Sequence, residues 1–455
     1  MAAAAVGDDL LLDRLSDLPD IILVTILSRL DMDEAARCSI LSSRWRRLFP
    51  STLLDFKAGS IRCDRAVEAV TSILAAHPTE PVRSFSTYRL SFRRQDDGAV
   101  DGWLRDLANR GIEKLVLYFN EKRQQKVPDS LFACASLKRL KVINGTFLDA
   151  TEAAASLAVL AKIDLSDVKI SQDSLNSLLS NCRALERLKI TSISKCDRLH
   201  IRSRSLKVLN TSGDFKELFI DDAPDLEQVL GYYLNSRSVI IKIAHAPKLE
   251  FLGYIGMNND IEFGNTKFTK FREKNIHAET IMPSLKTLAV DLMHTPDGHI
   301  NEHYINWVMQ LLKVFPCLET IYIKSDSWSE ARDGSPGSWD VLSSVPCMDN
   351  HLEKVVFEVY RGQEWQRDMA KFLHGRSRFL KTMEFHCMDD TSREDYGRAP
   401  TEEWVRKQQE LLCLDSRAAR DARFLFFKSQ LVVNHHEFSH NESYQRGYYR
   451  DMYNL

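Results

Sequence analysis

Leu137-Lys-Arg-Leu-Lys-Val142 is followed by Leu160-Ala-Lys-Ile-Asp-Leu165 and then by Leu185-Glu-Arg-Leu-Lys-Ile190, at intervals of 23 and 25 residues. In each copy the last two aliphatics stand two positions apart, so they share one face of a short strand, while the leading aliphatic turns the chain inward. Ile112/Leu115/Leu117 is an earlier copy. Leu249/Leu252/Tyr254, Leu285/Leu288/Val290, Leu318/Ile321/Ile323, Leu352/Val355/Phe357 and Leu380/Met383/Phe385 are later ones, with weaker forms at Leu206/Leu209 and Phe215/Leu218/Ile220. One copy cannot bury its own apolar edge, whereas stacked copies can, their strands aligned in a parallel sheet. The spacing predicts an α/β solenoid, and its uneven period predicts an irregular arc. Ten or so strands at about 4.8 Å each would span roughly 50 Å. No ladder of Asn or small residues runs along the copies, so a regular coil is not required.

Helices are expected between some of these strands. One starts at Asp64 and carries Val67, Val70, Ile73 and Leu74. Val100, Trp103, Leu104 and Leu107 follow the i, i+3, i+4, i+7 rule and lead through Gly111 into the first clear strand. Ile305, Val308, Met309, Leu312 and Val314 trace another helix before Pro316, and residues 326–339 read as a loop. From about Cys347 the chain alternates differently. A strand over 352–359, a helix over 363–373, a strand over 380–385 and a helix from Thr401 with Trp404, Val405, Leu411 and Leu412 precede a basic Arg417–Arg423 stretch and Phe424–Phe427. The polar residues after about Asn434 read as a flexible tail.

The N-terminal stretch Asp13-Arg-Leu-Ser-Asp-Leu-Pro-Asp-Ile-Ile-Leu-Val-Thr-Ile-Leu-Ser-Arg-Leu30, with Ser42-Ser-Arg-Trp-Arg-Arg-Leu48, reads as three short helices. Pro19 suits the first helical position and Asp20 the positive end of the first helix. Asp31 and Glu34 have capping-box spacing for a second helix from Met32 to about Ile40, and Ser42 caps a third. The first helix is apolar most of the way round, through Ile21, Ile22, Leu23, Val24, Ile26, Leu27 and Leu30. A unit of about 40 residues can cover only one side of it, so the other side is expected to meet another protein.

Leu18-Pro19, the aliphatic helix, and Leu41-Ser42 with Arg44-Trp45 resemble the F-box of plant F-box/leucine-rich-repeat proteins, over roughly residues 13–56. Asp31 and Met32 depart from that pattern, standing where the family usually has Pro and a capping Ser or Thr. The segment from 346 resembles the FBD module that follows the repeats in many of these proteins. The resemblance implies a non-catalytic substrate receptor. Its F-box would dock a Skp-type adaptor, and through it a cullin–RING (SCF-type) ubiquitin ligase, and its repeats would hold a protein substrate. The implied adaptor-binding residues are Leu18, Pro19, Ile22, Leu23, Ile26, Leu30 and Leu41, with Trp45 organising the bundle. The expected partition is a disordered 1–12, an F-box over 13–56, repeats over 57–345, an FBD-like α/β cap over 346–430 and a flexible tail over 431–455.

The chain has 455 residues, 44% of them apolar, and a net charge of −2. This balance argues against nucleic-acid and membrane-surface partners, and no run approaches a membrane span. The start lacks the basic n-region of a secretory signal. Nine cysteines without a Cys-x-x-Cys pair fit a reducing compartment, cytoplasm or nucleus. His299-Ile-Asn-Glu302-His303 fits the spacing of an inverted zinc-protease motif, but the obvious reading is a solvated first helical turn, because no carboxylate third ligand is at hand. Cys182, Cys196 and His200 read as packing residues rather than a metal set. No cofactor is expected. A repeat scaffold without a ligase role is the main alternative, and a zinc hydrolase the remote one.

Overall fold

The computed structural model describes residues 17–27, 40–48, 54–56, 66–76, 81–87, 98–121, 125–147, 157–213, 215–232, 239–256, 259–264, 266–268, 282–292, 302–324, 344–387 and 401–428, with positions 15, 30, 34, 37–38, 78, 90, 92 and 96. They fall into two compact units, 1–195 and 196–455. The expected disordered start, the 326–339 loop and the tail after 430 lie outside the described residues.

The first unit begins with α1 (Asp20–Leu27) and α2 (Ser43–Leu48). Glu34, Arg37 and Cys38 between them have helical backbone; most of the expected second helix lies outside the described residues. Then come β1 (Leu54–Phe56), α3 (Ala66–Ala76), β2 (Val82–Ser86), α4 (Ala99–Asn109), β3 (Lys114–Tyr118), β4 (Arg139–Ile143), β5 (Lys162–Ser166), α5 (Gln172–Asn181) and β6 (Arg187–Thr191). The six strands pair in chain order, all parallel. Val100, Trp103, Leu104 and Leu107 are all buried on α4, and Gly111 follows at φ +70°, a turn that an L side chain resists.

The repeats are held in step by shared carbonyls. The Glu113 carbonyl accepts the N–H groups of Lys138 and Arg139 at 2.8 and 3.0 Å; that of Lys138 accepts Ala161 and Lys162; that of Ala161 accepts Glu186 and Arg187. After each strand the chain turns through a left-handed residue: Asn144 after β4, Asp167 after β5, Ser192 after β6. The coil here is thus more regular than the missing Asn ladder implied. The turn needs a short polar residue that tolerates positive φ, and Asp or Ser fills that role beside Asn.

The second unit departs from expectation by carrying a second sheet. Strands β7 (Arg198–Arg202), β9 (Glu217–Asp222), β11 (Ile240–Ile243), β13 (Asp260–Phe263) and β14 (Thr266–Phe268) form a sheet of their own, parallel except for the β13–β14 hairpin. Between them in sequence run β8 (Val208–Ser212), β10 (Gln228–Tyr232) and β12 (Phe251–Gly256), which pair with one another and with β15 (Thr287–Asp291). Leu218 and Ile220, read as a weak repeat copy, therefore belong to the second sheet, while β10 carries a copy that the pattern missed. Successive strands of one sheet start only 20 and 23 residues apart here (208 to 228 to 251). Two strands and two turns use up that length, leaving none for a helix.

After α6 (Glu302–Val314) and β16 (Thr320–Lys324) come α7 (Pro346–Asn350), β17 (Lys354–Tyr360), α8 (Glu364–Arg376), β18 (Thr382–Cys387), α9 (Glu402–Leu411) and β19 (Arg423–Lys428). Gln363 caps α8 through a capping box, and the Thr401 side chain accepts the Trp404 N–H at the start of α9. The C-terminal segment covers the edge of the repeat sheet with further strands and so lengthens the sheet: β16, β17, β18 and β19 pair in order and in parallel. The same shared-carbonyl device carries through, from Glu319 to Glu353 to Lys381. Stacked Phe357, Phe385 and Phe426 rings continue the core along these strands, at centroid distances of 5.5 and 4.7 Å.

Candidate functional site

The N-terminal head has a small interior. Leu23, Leu27 and Trp45 are buried together, and Leu18, Ile26, Leu30, Cys38 and Leu48 pack around them half-buried. Pro19 leaves its carbonyl to the N–H groups of Ile22 and Leu23, and the Ser42 hydroxyl accepts the Trp45 N–H at 3.3 Å. Arg44 ties α2 to α1: its Nε donates to Asp20 Oδ1 at 2.9 Å and its Nη2 to the Leu18 carbonyl at 2.6 Å. What this bundle leaves outside is apolar: Ile21 is 73% exposed, Ile22 43%, Ile40 75% and Leu41 71%. Of the sequence-designated residues, Ile22 and Leu41 are therefore open to a partner and Pro19 is exposed, whereas Leu23 and Trp45 form the interior that supports them. Ile21, named only as one of the helix aliphatics, and Ile40 were not among the implied adaptor-binding residues; which side of a helix that is greasy all round stays open depends on where α2 packs.

A second feature lies on the open face of the first unit's sheet. Lys114, Arg139, Lys162 and Arg187 occupy the same position in β3, β4, β5 and β6 and are direct neighbours across the strands. None makes a side-chain hydrogen bond or ion pair among the described residues, and like charges on adjacent strands destabilise a sheet. Partial burial, then the charges of Arg187 and Arg139, push the Lys162 ammonium below the usual lysine range, with Glu186 opposing. Two positions further along the strands, Asp164 stands between Lys141 (3.4 Å) and Lys189 (4.0 Å). Among the described residues, six cations on these four strands thus share this face with one carboxylate of the same strands. The signal was legible: the residue two places after each leading aliphatic is Lys, Arg, Lys, Arg, but it shows only once the copies are laid side by side.

The second unit's five-stranded sheet carries a row of the opposite design. Arg198, Glu217, Lys242, Glu262 and Lys267, one per strand in sheet order, alternate in sign and are linked at 3.5, 3.0, 3.9 and 3.2 Å. The hydrogen bond to Glu217, with the charges of Glu217 and Glu262, raises the Lys242 ammonium above the usual range. On this unit's other sheet, Tyr254 donates its hydroxyl to Glu358 at 2.6 Å, both residues buried, and Lys324 lies 5.6 Å over the Tyr254 ring and 3.9 Å from Asp291.

The sequence's possible chemical groups are placed less usefully. His299 lies outside the described residues, and Glu302 and His303 open α6. Burial pushes the Cys196 and Cys134 thiols up to about 11 and those of Cys182, Cys347 and Cys387 to about 12. Such thiols stay protonated near neutrality, and the thiol is neither nucleophile nor good metal ligand.

Comparison with known proteins meets this layout segment by segment. Residues 15–57 match the F-box domain family, residues 100–323 the leucine-rich repeats described for FBD-associated F-box protein At5g56370, and residues 341–385 the FBD family. The Arabidopsis thaliana F-box/FBD/LRR-repeat protein At1g13570 is 31% identical over 56% of this chain and 64% of that protein. FBD-associated F-box protein At4g10400 of the same plant is 29% identical over 82% of this chain and 92% of its own length, and F-box/FBD/LRR-repeat protein At5g56420 28% identical over 81% and 90%. Head, repeats and C-terminal segment, in that order, define a leucine-rich-repeat protein with an F-box. The chain belongs to the plant F-box/leucine-rich-repeat proteins that carry a C-terminal FBD domain.

Proposed function

We propose that this chain is the substrate-recognition subunit of an SCF-type ubiquitin ligase. Its head docks a Skp-type adaptor, the repeats hold the protein to be modified, and the bond-forming chemistry belongs to the assembled partners. The observation that carries this reading is the set of exposed aliphatics, Ile21, Ile22, Ile40 and Leu41, on a head whose interior is already filled by Leu23, Leu27 and Trp45. Covering four such side chains is worth roughly 1.5–3 kcal/mol each before the cost of association, enough for a stable interface. The proposed adaptor surface is Leu18, Pro19, Ile22, Ile26, Leu30 and Leu41, joined by Ile21 and Ile40 and supported from behind by Leu23 and Trp45. A cytoplasmic or nuclear location accompanies this role, since the adaptor and ligase must be met there.

The test is capture of purified Skp-type adaptor by the full chain. Ile22→Asp with Leu41→Asp changes two open positions, so the expected result is a loss of capture of about a hundredfold or more with an unaltered circular dichroism spectrum. Full capture by the folded double variant refutes the docking surface.

A further inference from the structure

The basic row has the features of a binding surface that has been kept at a cost to the fold. Four cations sit side by side on β3 to β6 with no side-chain hydrogen bond or ion pair among the described residues, Glu186 acting on Lys162 only through its charge, on strands whose buried positions are conventional Leu, Ile and Val. Elsewhere in the same chain the sheet solves this problem by alternating signs, so the geometry permits compensation, and among the described residues the four-cation row has none. The carbonyls of Glu113, Lys138 and Ala161 fix the starts of these strands, and so hold the four side chains at neighbouring strand positions. Three strand intervals of about 4.8 Å make the row roughly 14 Å long, which is the length of four or five extended residues. Two positions along the strands Lys141 and Lys189 flank Asp164, at 3.4 and 4.0 Å, so the strip beside the row adds two cations against one carboxylate.

We infer that this face takes an extended acidic segment, rich in Asp and Glu, of the protein that the chain recruits. The acidic carboxylates supply the counter-charges the row lacks. A peptide fits better than a nucleic-acid strand, because the four cations have no aromatic ring interleaved among them on which bases could stack. That the segment belongs to a ligase substrate rests on the receptor reading above; the binding of acidic peptide does not, so the two can fail separately.

The experiment uses the purified full chain and a short fluorescein-labelled peptide of alternating Asp and Glu, followed by fluorescence anisotropy, against the same peptide with Asn and Gln. The acidic peptide is expected to bind and to weaken steeply with salt, and its neutral counterpart to bind at least about tenfold less well. Arg139→Glu with Arg187→Glu should reduce the affinity about tenfold or more while adaptor capture persists. Lys162→Gln should reduce it two- to threefold, about half a logarithmic unit, without lowering the melting temperature, because it also removes repulsion. Lys248→Gln, whose side chain is paired with Asp225 in the second unit, should leave it unchanged. Conversely, Ile22→Asp with Leu41→Asp should lose the adaptor and keep the peptide. Equal binding of the acidic and neutral peptides, undiminished binding by the folded Arg139/Arg187 variant, or tighter binding of a labelled oligothymidylate than of the acidic peptide would overturn the inference.

Discussion

Two rows of charge cross two sheets of this protein, and they are opposites. Arg198, Glu217, Lys242, Glu262 and Lys267 alternate across five strands, each linked to the next within 4 Å. Lys114, Arg139, Lys162 and Arg187 repeat one sign across four. Strand spacing and the buried aliphatics beneath are alike, so the surface row is not what holds either sheet together. The difference shows in one lysine of each: the bond and charges of its carboxylate neighbours raise the Lys242 ammonium, whereas partial burial first, and then the like charges of Arg187 and Arg139, lower that of Lys162. A row that answers its own charges is finished within the molecule. A row that does not is open to a partner.

The strongest challenge to this view is to the core. Leu140 under the basic row and Leu218 under the alternating row are both buried, and Leu→Ala at either should cost about 2–5 kcal/mol in urea denaturation. A much smaller loss at one of them would mean that its surface row, and not the core beneath, holds that sheet together. Next comes the sign of the central residue. Lys242→Glu places three carboxylates in succession and should lower the melting temperature by several degrees, whereas Lys162→Glu breaks a run of like charges and should leave it unchanged or higher. The same fall in both would erase the distinction.

The smallest effect lies in alkali. An unfolded lysine titrates near 10.5. The folded value of Lys162 is lower, so the unfolded chain binds more protons just below that pH, and stability rises as pH climbs through the window. The folded value of Lys242 is higher, so its contribution is intact below 10.5 and lost as pH rises through the folded value. Melting temperatures measured between pH 9 and 11 should show Lys162→Gln removing a gain and Lys242→Gln removing a loss, each of about a degree.

Much of the architecture was legible from residue order. Leu137, Leu140 and Val142, repeated at 23 and 25 residues, identified strands that are found parallel and neighbouring. Val100, Trp103, Leu104 and Leu107 identified α4, all four buried as the spacing required. The second sheet of the 196–268 region was not legible, because Leu199/Ile201 and Leu218/Ile220 look like any alternating strand and nothing local says which sheet a strand joins. The C-terminal segment was read as an FBD-like cap by resemblance, and how it covers the sheet edge was not legible: Val355 and Met383 pair across β17 and β18 as the earlier repeat residues do.

At the head, the sequence revealed an excess of apolar surface but not its direction. Leu23 and Ile22 are adjacent and chemically alike; one is fully buried and the other 43% exposed, because Trp45 arrives from one side only. By itself, then, the amino-acid order determined the repeating strands, the helices among them and the greasy start. Tertiary structure alone decided which side of α1 is left open, and that lysines and arginines some 25 residues apart stand shoulder to shoulder. Periodicity is a local property of the chain, while the pairing of strands is made by hydrogen bonds between distant segments, and only that pairing turns four separate cations into one surface.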